Sequence, residues 1–109
     1  MGLIRDTQWV KLLREGQYGE FNRLAAQELP DLRNADLRMI DLRQANLTRA
    51  DLRGAYMRNA DLRGLDLSGA SLEGASLHDA KVAGVLFPGA LNAEEIRLSL
   101  SFGTRMRVR

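Results

Sequence analysis

The chain has 109 residues, no cysteine, one histidine, and 16 Lys and Arg against 14 Asp and Glu. That length allows one small domain, excludes disulfides and thiolate sites, and leaves no imidazole cluster for a metal. Aromatic residues make up only 6% of the sequence, so a core of large side chains is not expected and repetition has to supply the packing.

Residues 1–29 are predicted to form an N-terminal helical cap. Asp6 or Thr7 can accept the first orphan N–H of a helix, and Trp9, Leu12 and Leu13 then share one face. Gly16 is a plausible stop. Phe21, Leu24 and Ala25 repeat the spacing, and Pro30 ends the run. Two helices this short need an apolar surface to cover, and the open end of the next segment offers one. The N-terminus has no signal-peptide apolar core and no run approaches a membrane span, so a soluble cytoplasmic protein is expected.

Residues 30–89 divide into twelve units of five: PDLRN ADLRM IDLRQ ANLTR ADLRG AYMRN ADLRG LDLSG ASLEG ASLHD AKVAG VLFPG. The middle position is always apolar and is Leu in nine units. Two residues earlier stands an apolar residue or Pro, and in eight units it is Ala. Each unit therefore reads as a very short strand with two side chains inward, followed by a bend. Five is odd, so a continuous strand would flip its face at every unit; the chain must turn instead. Gly54, Gly64, Gly69, Gly74, Gly84 and Gly89 occupy the fifth position, where a tight bend can demand positive φ. Gaps alternating between two and three residues do not make a helical stripe.

This block resembles the pentapeptide-repeat family, whose consensus is close to A-(D/N)-L-x-x. The resemblance implies an all-β solenoid: a right-handed quadrilateral β-helix with four units per coil, here about three coils, with short α-helical caps at its N- and C-terminal ends. Residues twenty apart would then lie above one another. Leu32, Leu52 and Leu72 form one inner ladder.

Outside the core, Asp precedes and Arg follows the central Leu in most early units, as in Asp31 and Arg33. Exposed pairs of this kind are each worth under about 1 kcal/mol. Interleaved Asp also cancels the field that a phosphate-binding arginine comb would need. One face departs from the pattern. Tyr56 replaces the usual Asp, and Met39 stands at an outward corner beside Arg38 and Arg58. An aromatic next to Met and Arg is the composition of an interface anchor. The equal alternative is a surface Tyr lying over an Arg. His78 has no partner at metal-ligand spacing and is expected to be an exposed surface residue.

Residues 90–109 are predicted to form a helix and a basic extended tail. Asn92 and Glu95 fit a capping box, and Ile96 and Leu100 can cover the last repeats under Phe87. Arg105, Met106, Arg107, Val108 and Arg109 alternate as a short strand, and form a candidate interaction segment. The tail could pack within the chain or between two copies; the family resemblance implies dimers made through the C-terminal element.

No nucleophile–base pair, phosphate loop or metal cluster is present, so no enzyme, cofactor or small-molecule substrate is expected. The expected function is a protein–protein interaction or scaffold module, self-associating, with a protein partner. The alternative is a nucleic-acid-related role, through the Arg-rich end or on a type II topoisomerase as the resemblance implies for some relatives; the balanced charge speaks against it.

Overall fold

The computed structural model describes residues 7–108. Its regular elements are three helices, α1 (Gln8–Arg14), α2 (Tyr18–Ala25) and α3 (Ala93–Phe102), placed before and after the repeat block. Asp6 and Arg109 lie outside the described residues.

The block between the helices is held by isolated parallel bridges twenty residues apart. Asp31 pairs with Asp51 and Asp51 with Ser71; Asp36 pairs with Tyr56 and Tyr56 with Ser76. The hydrogen bonds run both ways across each bridge. Leu52 donates to Ser71 O at 2.8 Å, and Ser71 donates to Ala50 O at 3.0 Å. The sequence predicts short strands, and the bridging segments are shorter still. In the bridged units the residue before the central one makes the bridge, and the bend follows at once. Inside the bend, the N–H opening one unit donates back to the central carbonyl of the unit before, as Ala55 does to Leu52 O at 3.0 Å. Each unit from Leu32 to Val82 is thus closed by its own turn.

The inward positions behave as the repeat dictates. Leu32, Leu52 and Leu72 are buried, as are Ala35, Ala55 and Ala75 between them. The bends are of two kinds, which the glycine pattern alone does not reveal. Asn34, Gly54, Gly64, Gly74 and Gly84 have positive φ, but Gly69 and Gly89 do not. Gly69 is required for space: a Cβ there would sit 2.8 Å from the Thr48 carbonyl oxygen.

The N-terminal helices close one end of the block. Thr7 caps α1, its side chain accepting from Val10 N, and Gly16 ends the helix turn region at φ 71. α1 buries the expected Leu13 together with Val10, and the expected Trp9 and Leu12 pack partly buried against the core, Trp9 edge-on to the buried Phe21 of α2 with centroids 5.2 Å apart. The helices also satisfy polar backbone at the edge of the first repeats. Tyr18 donates to Asp41 O, Asn22 donates to Gln44 O at 3.0 Å, and Asn46 N donates to Asn22 Oδ1 at 2.7 Å. Those edge groups would otherwise face solvent unpaired.

At the other end the cover is partial. Asn92 caps α3, accepting from Glu94 N, and Gly103 stops it in the left-handed region. Leu77 N donates to Ser99 Oγ at 2.8 Å, and Asp79 N to Leu100 O at 3.1 Å. α3 therefore seats on the unit centred on Leu77. Phe87 and Val82 pack against the core but stay half-buried, so the expected cover beneath Phe87 is incomplete. The tail joins the ladder within the same chain. Met106 N donates to Ala75 O at 2.9 Å, Gly74 N donates to Met106 O at 2.7 Å, and Leu91 bridges Val108 in antiparallel fashion. Among the described residues no helix is long and apolar enough to cross a membrane.

Candidate functional site

The repeat places Asp31, Asp36, Asp41, Asp51 and Asp61 one residue before a buried Leu, so their side chains point out. Each carboxylate does two things. Its Oδ1 accepts the backbone N–H two residues on, as Asp36 does from Arg38 at 3.2 Å, which fixes the start of the bend. It also takes the guanidinium of that same Arg in a two-pronged pair, at 2.7 and 2.8 Å for Arg38 on Asp36. Arg33, Arg43, Arg53 and Arg63 repeat this arrangement. The side chains also reach between neighbouring repeats: Arg43 Nε lies 3.4 Å from Asp61 Oδ2. The Asp–Arg pattern is thus part of the bend chemistry as well as a solvated surface.

The pairing sets the acid response. The bond from Arg38 comes first in lowering the Asp36 pKa to about 2, aided by the backbone N–H and by Arg14. Asp41, Asp51 and Asp61 are lowered for the same reason by Arg43, Arg53 and Arg63. An unfolded Asp titrates near 3.9. Carboxylates depressed in the folded state stabilise it fully above that value, and the stabilisation is lost as pH falls toward 2. The melting temperature is expected to be flat from pH 7 to 5 and to fall between about pH 4 and 2. Thermal melts followed by circular dichroism will check this, and an Asp36→Asn variant should show a shallower fall. A profile unchanged down to pH 2 would contradict the role given to the pairs.

One unit keeps the Arg after its central residue without the Asp before it, on the face singled out in the sequence. Asp36, Tyr56 and Ser76 stack through their bridges, with Arg38, Arg58 and His78 two residues further on in the same units. Tyr56 occupies the place of the carboxylate that would hold Arg58. Among the described residues the Arg58 side chain has neither the two-pronged carboxylate pair of its neighbours nor any other hydrogen bond or ion pair. Tyr56 is engaged from the tail: Arg105 Nη2 donates to its hydroxyl at 2.7 Å, with the guanidinium carbon 4.9 Å from the ring centroid. Arg105 also donates to Gly74 O at 2.8 Å.

The structure thus brings together two candidates that are 49 positions apart, Tyr56 and Arg105. The rest of the described tail is divided between core and surface, the Arg107 side chain being 71% exposed. Met106 is fully buried, so it is core rather than interaction surface. Arg107 donates through its backbone and side chain to Glu95, at 2.9 and 3.0 Å, and Glu95 is itself buried on α3. Val108 is half-buried and its N–H reaches Glu73 Oε1 at 3.2 Å.

Two clefts adjoin on this face. One, of about 350 Å³, is lined by Arg38, Tyr56, Arg58, Ser76, His78 and Phe102 among others. The second, of about 400 Å³, shares Arg38 and Arg58 and adds Arg14, Asp36, Met39 and Asn59. Arg14 arrives from α1 and Phe102 from the end of α3, so neither was visible in the repeat. His78 is not the free surface residue expected. Its ring lies half-covered beneath Gly103, its Nε2 is 3.2 Å from Asp79 Oδ2, and its Nδ1 is sealed without a partner among the described residues. No group of three or more His, Cys, Asp or Glu among the described residues could hold a metal ion.

The family model described as pentapeptide repeats (8 copies) matches residues 31–64 and 50–89. No curated protein and no solved structure matches the chain.

Proposed function

The chain belongs to the pentapeptide-repeat family, and from that premise we propose that it works without catalysis, as a protein–protein interaction module that presents the rigid faces of a right-handed, four-sided β-helix and associates with a second copy of itself. The twenty-residue spacing of the bridges supports four units per coil. Buried central residues throughout units 30–79 support a solid interior with no room for a substrate.

The observation that carries self-association is the uncovered edge after Ala80. Lys81 and Leu86 bridge back to Asp61 and Asp66 but nothing continues their ladder forward among the described residues. Val82 and Phe87 are half-buried there, and Leu86 is 60% exposed. An edge with open N–H and C=O groups beside apolar side chains is a template for pairing. A two-fold arrangement would set the same edge on both copies and close the assembly.

Sedimentation velocity across a concentration series tests this. A dimer is expected for the natural chain, and a monomer for Leu86→Arg with unchanged circular dichroism. A single monomeric species up to the highest concentration would overturn the reading. The alternative nucleic-acid reading is weakened in the described part of the tail, because the exposed Arg105 and Arg107 are already engaged by Tyr56 and Glu95.

A further inference from the structure

The face around Arg58 carries three departures from the repeat that coincide in space. First, Arg58 lacks the carboxylate that its sister arginines share. Around the two adjoining clefts stand Arg14, Arg38 and Arg58 with Asp36 as the only lining carboxylate among the described residues, whereas every neighbouring Asp–Arg unit is balanced. Second, Met39 sits at a bend with φ 65. The equivalent bends hold Asn34, Asn59 and Asp79, residue types that tolerate the left-handed region, or Gly. Met gains nothing there by packing, since it is 78% exposed. A strained backbone site that also exposes a large apolar side chain is explained by neither the turn nor the core. Third, Phe102 ends α3 with 69% of its surface exposed, lining the cleft that Met39 does not.

We propose that this face binds an extended acidic segment of a partner protein, with a carboxylate on Arg58 and apolar side chains on Met39 and Phe102. The proposal rests on the interaction-module reading and names the chemistry of the partner. Arg58 offers its guanidinium fork to a carboxylate in the geometry that Arg38 and Arg53 use within the chain. The exposed apolar pair favours a peptide over a free anion, which would leave Met39 and Phe102 in water. A nucleic acid fits less well, because a continuous polyanion would run from this face onto the balanced Asp41–Arg43 and Asp61–Arg63 pairs.

The test uses the full chain and an immobilised array of random twelve-residue peptides, followed by fluorescence anisotropy with the strongest binders. The expected binders carry Asp or Glu next to an aromatic or aliphatic residue. The decisive variant is Tyr56→Asp, which restores the repeat and supplies Arg58 with an internal carboxylate at the cost of the Tyr56 contact with Arg105, so its circular dichroism and thermal melt are compared with the natural chain and Arg105→Ala serves as the control for that lost contact. The affinity of Tyr56→Asp for those peptides should fall at least tenfold, and that of Met39→Asn at least threefold. A short DNA duplex at the same concentration should not compete. No enrichment of acidic peptides, or duplex competition abolished by the same variants, would overturn the proposal. Peptides that bind the natural chain and Tyr56→Asp equally would also overturn this site while leaving the module reading in place; that reading is judged separately by sedimentation.

Discussion

Leu52→Ala is expected to destabilise the protein by about 2–5 kcal/mol, the range for deleting a fully buried Leu side chain. The reason for placing it high in that range is the enclosure of the site. Leu52 lies in the second repeat layer, with Leu32 and Leu72 twenty residues to either side and all three fully buried. Its backbone is fixed by the bond to Ser71 O on one side, and its neighbour Asp51 donates to Pro30 O on the other. Alanines 50 and 55 flank it and offer nothing that could swing into a cavity. The site cannot collapse, so the cavity remains and its cost is retained. For a chain of this size that corresponds to roughly 4–8 °C of melting temperature per kcal/mol. Urea denaturation should show a lower midpoint with an unchanged slope. Val82→Ala, at a half-buried position beside the open edge, should cost much less. Equal losses at the two positions would mean that the interior is not packed as described.

Met106→Ala is expected to cost a comparable amount, again about 2–5 kcal/mol. Met106 is buried completely, and its backbone makes two bonds that extend the ladder beyond Gly74 and Ala75. The tail is thus a structural element whose anchor is apolar. Arg105→Ala makes the comparison informative. Arg105 is exposed and loses one bond to a hydroxyl, one to a carbonyl and a cation–π contact. Such surface contacts are worth about 0.5–1 kcal/mol. Thermal melts of the two variants should therefore separate clearly, with Met106→Ala the less stable. The reverse order would assign the tail's hold to its charges.

Much of this was legible because the repeat leaves few choices. Apolar residues at the first and third positions of each five have to face inward, and all the central residues from Leu32 to Leu77 do. The helices were legible from Thr7, Gly16, Asn92 and Gly103, whose capping and stopping roles are local. The candidate face was legible only in part. Tyr56 and Met39 stand out as breaks in a pattern, and the missing carboxylate two residues before Arg58 is equally plain in the sequence. The involvement of Arg14, Phe102 and Arg105 was not. Those residues come from segments outside the repeat, where no periodicity fixes a distance to the block. The same holds for His78, whose covering depends on where α3 ends at Gly103.

By itself the sequence determined the interior and the bends, because burial and turn formation in a five-residue unit depend on neighbours within the unit. It also determined that Arg58 would lack its usual partner. The tertiary structure decided which groups from the two ends reach the block. It turned Arg105 onto Tyr56, brought Arg107 to the buried Glu95, sank Met106 into the core and left the edge beyond Ala80 uncovered. Those outcomes follow from how α3 and the tail satisfy open backbone groups at Gly74, Ala75, Leu77 and Asp79, a competition between distant segments that no local pattern encodes.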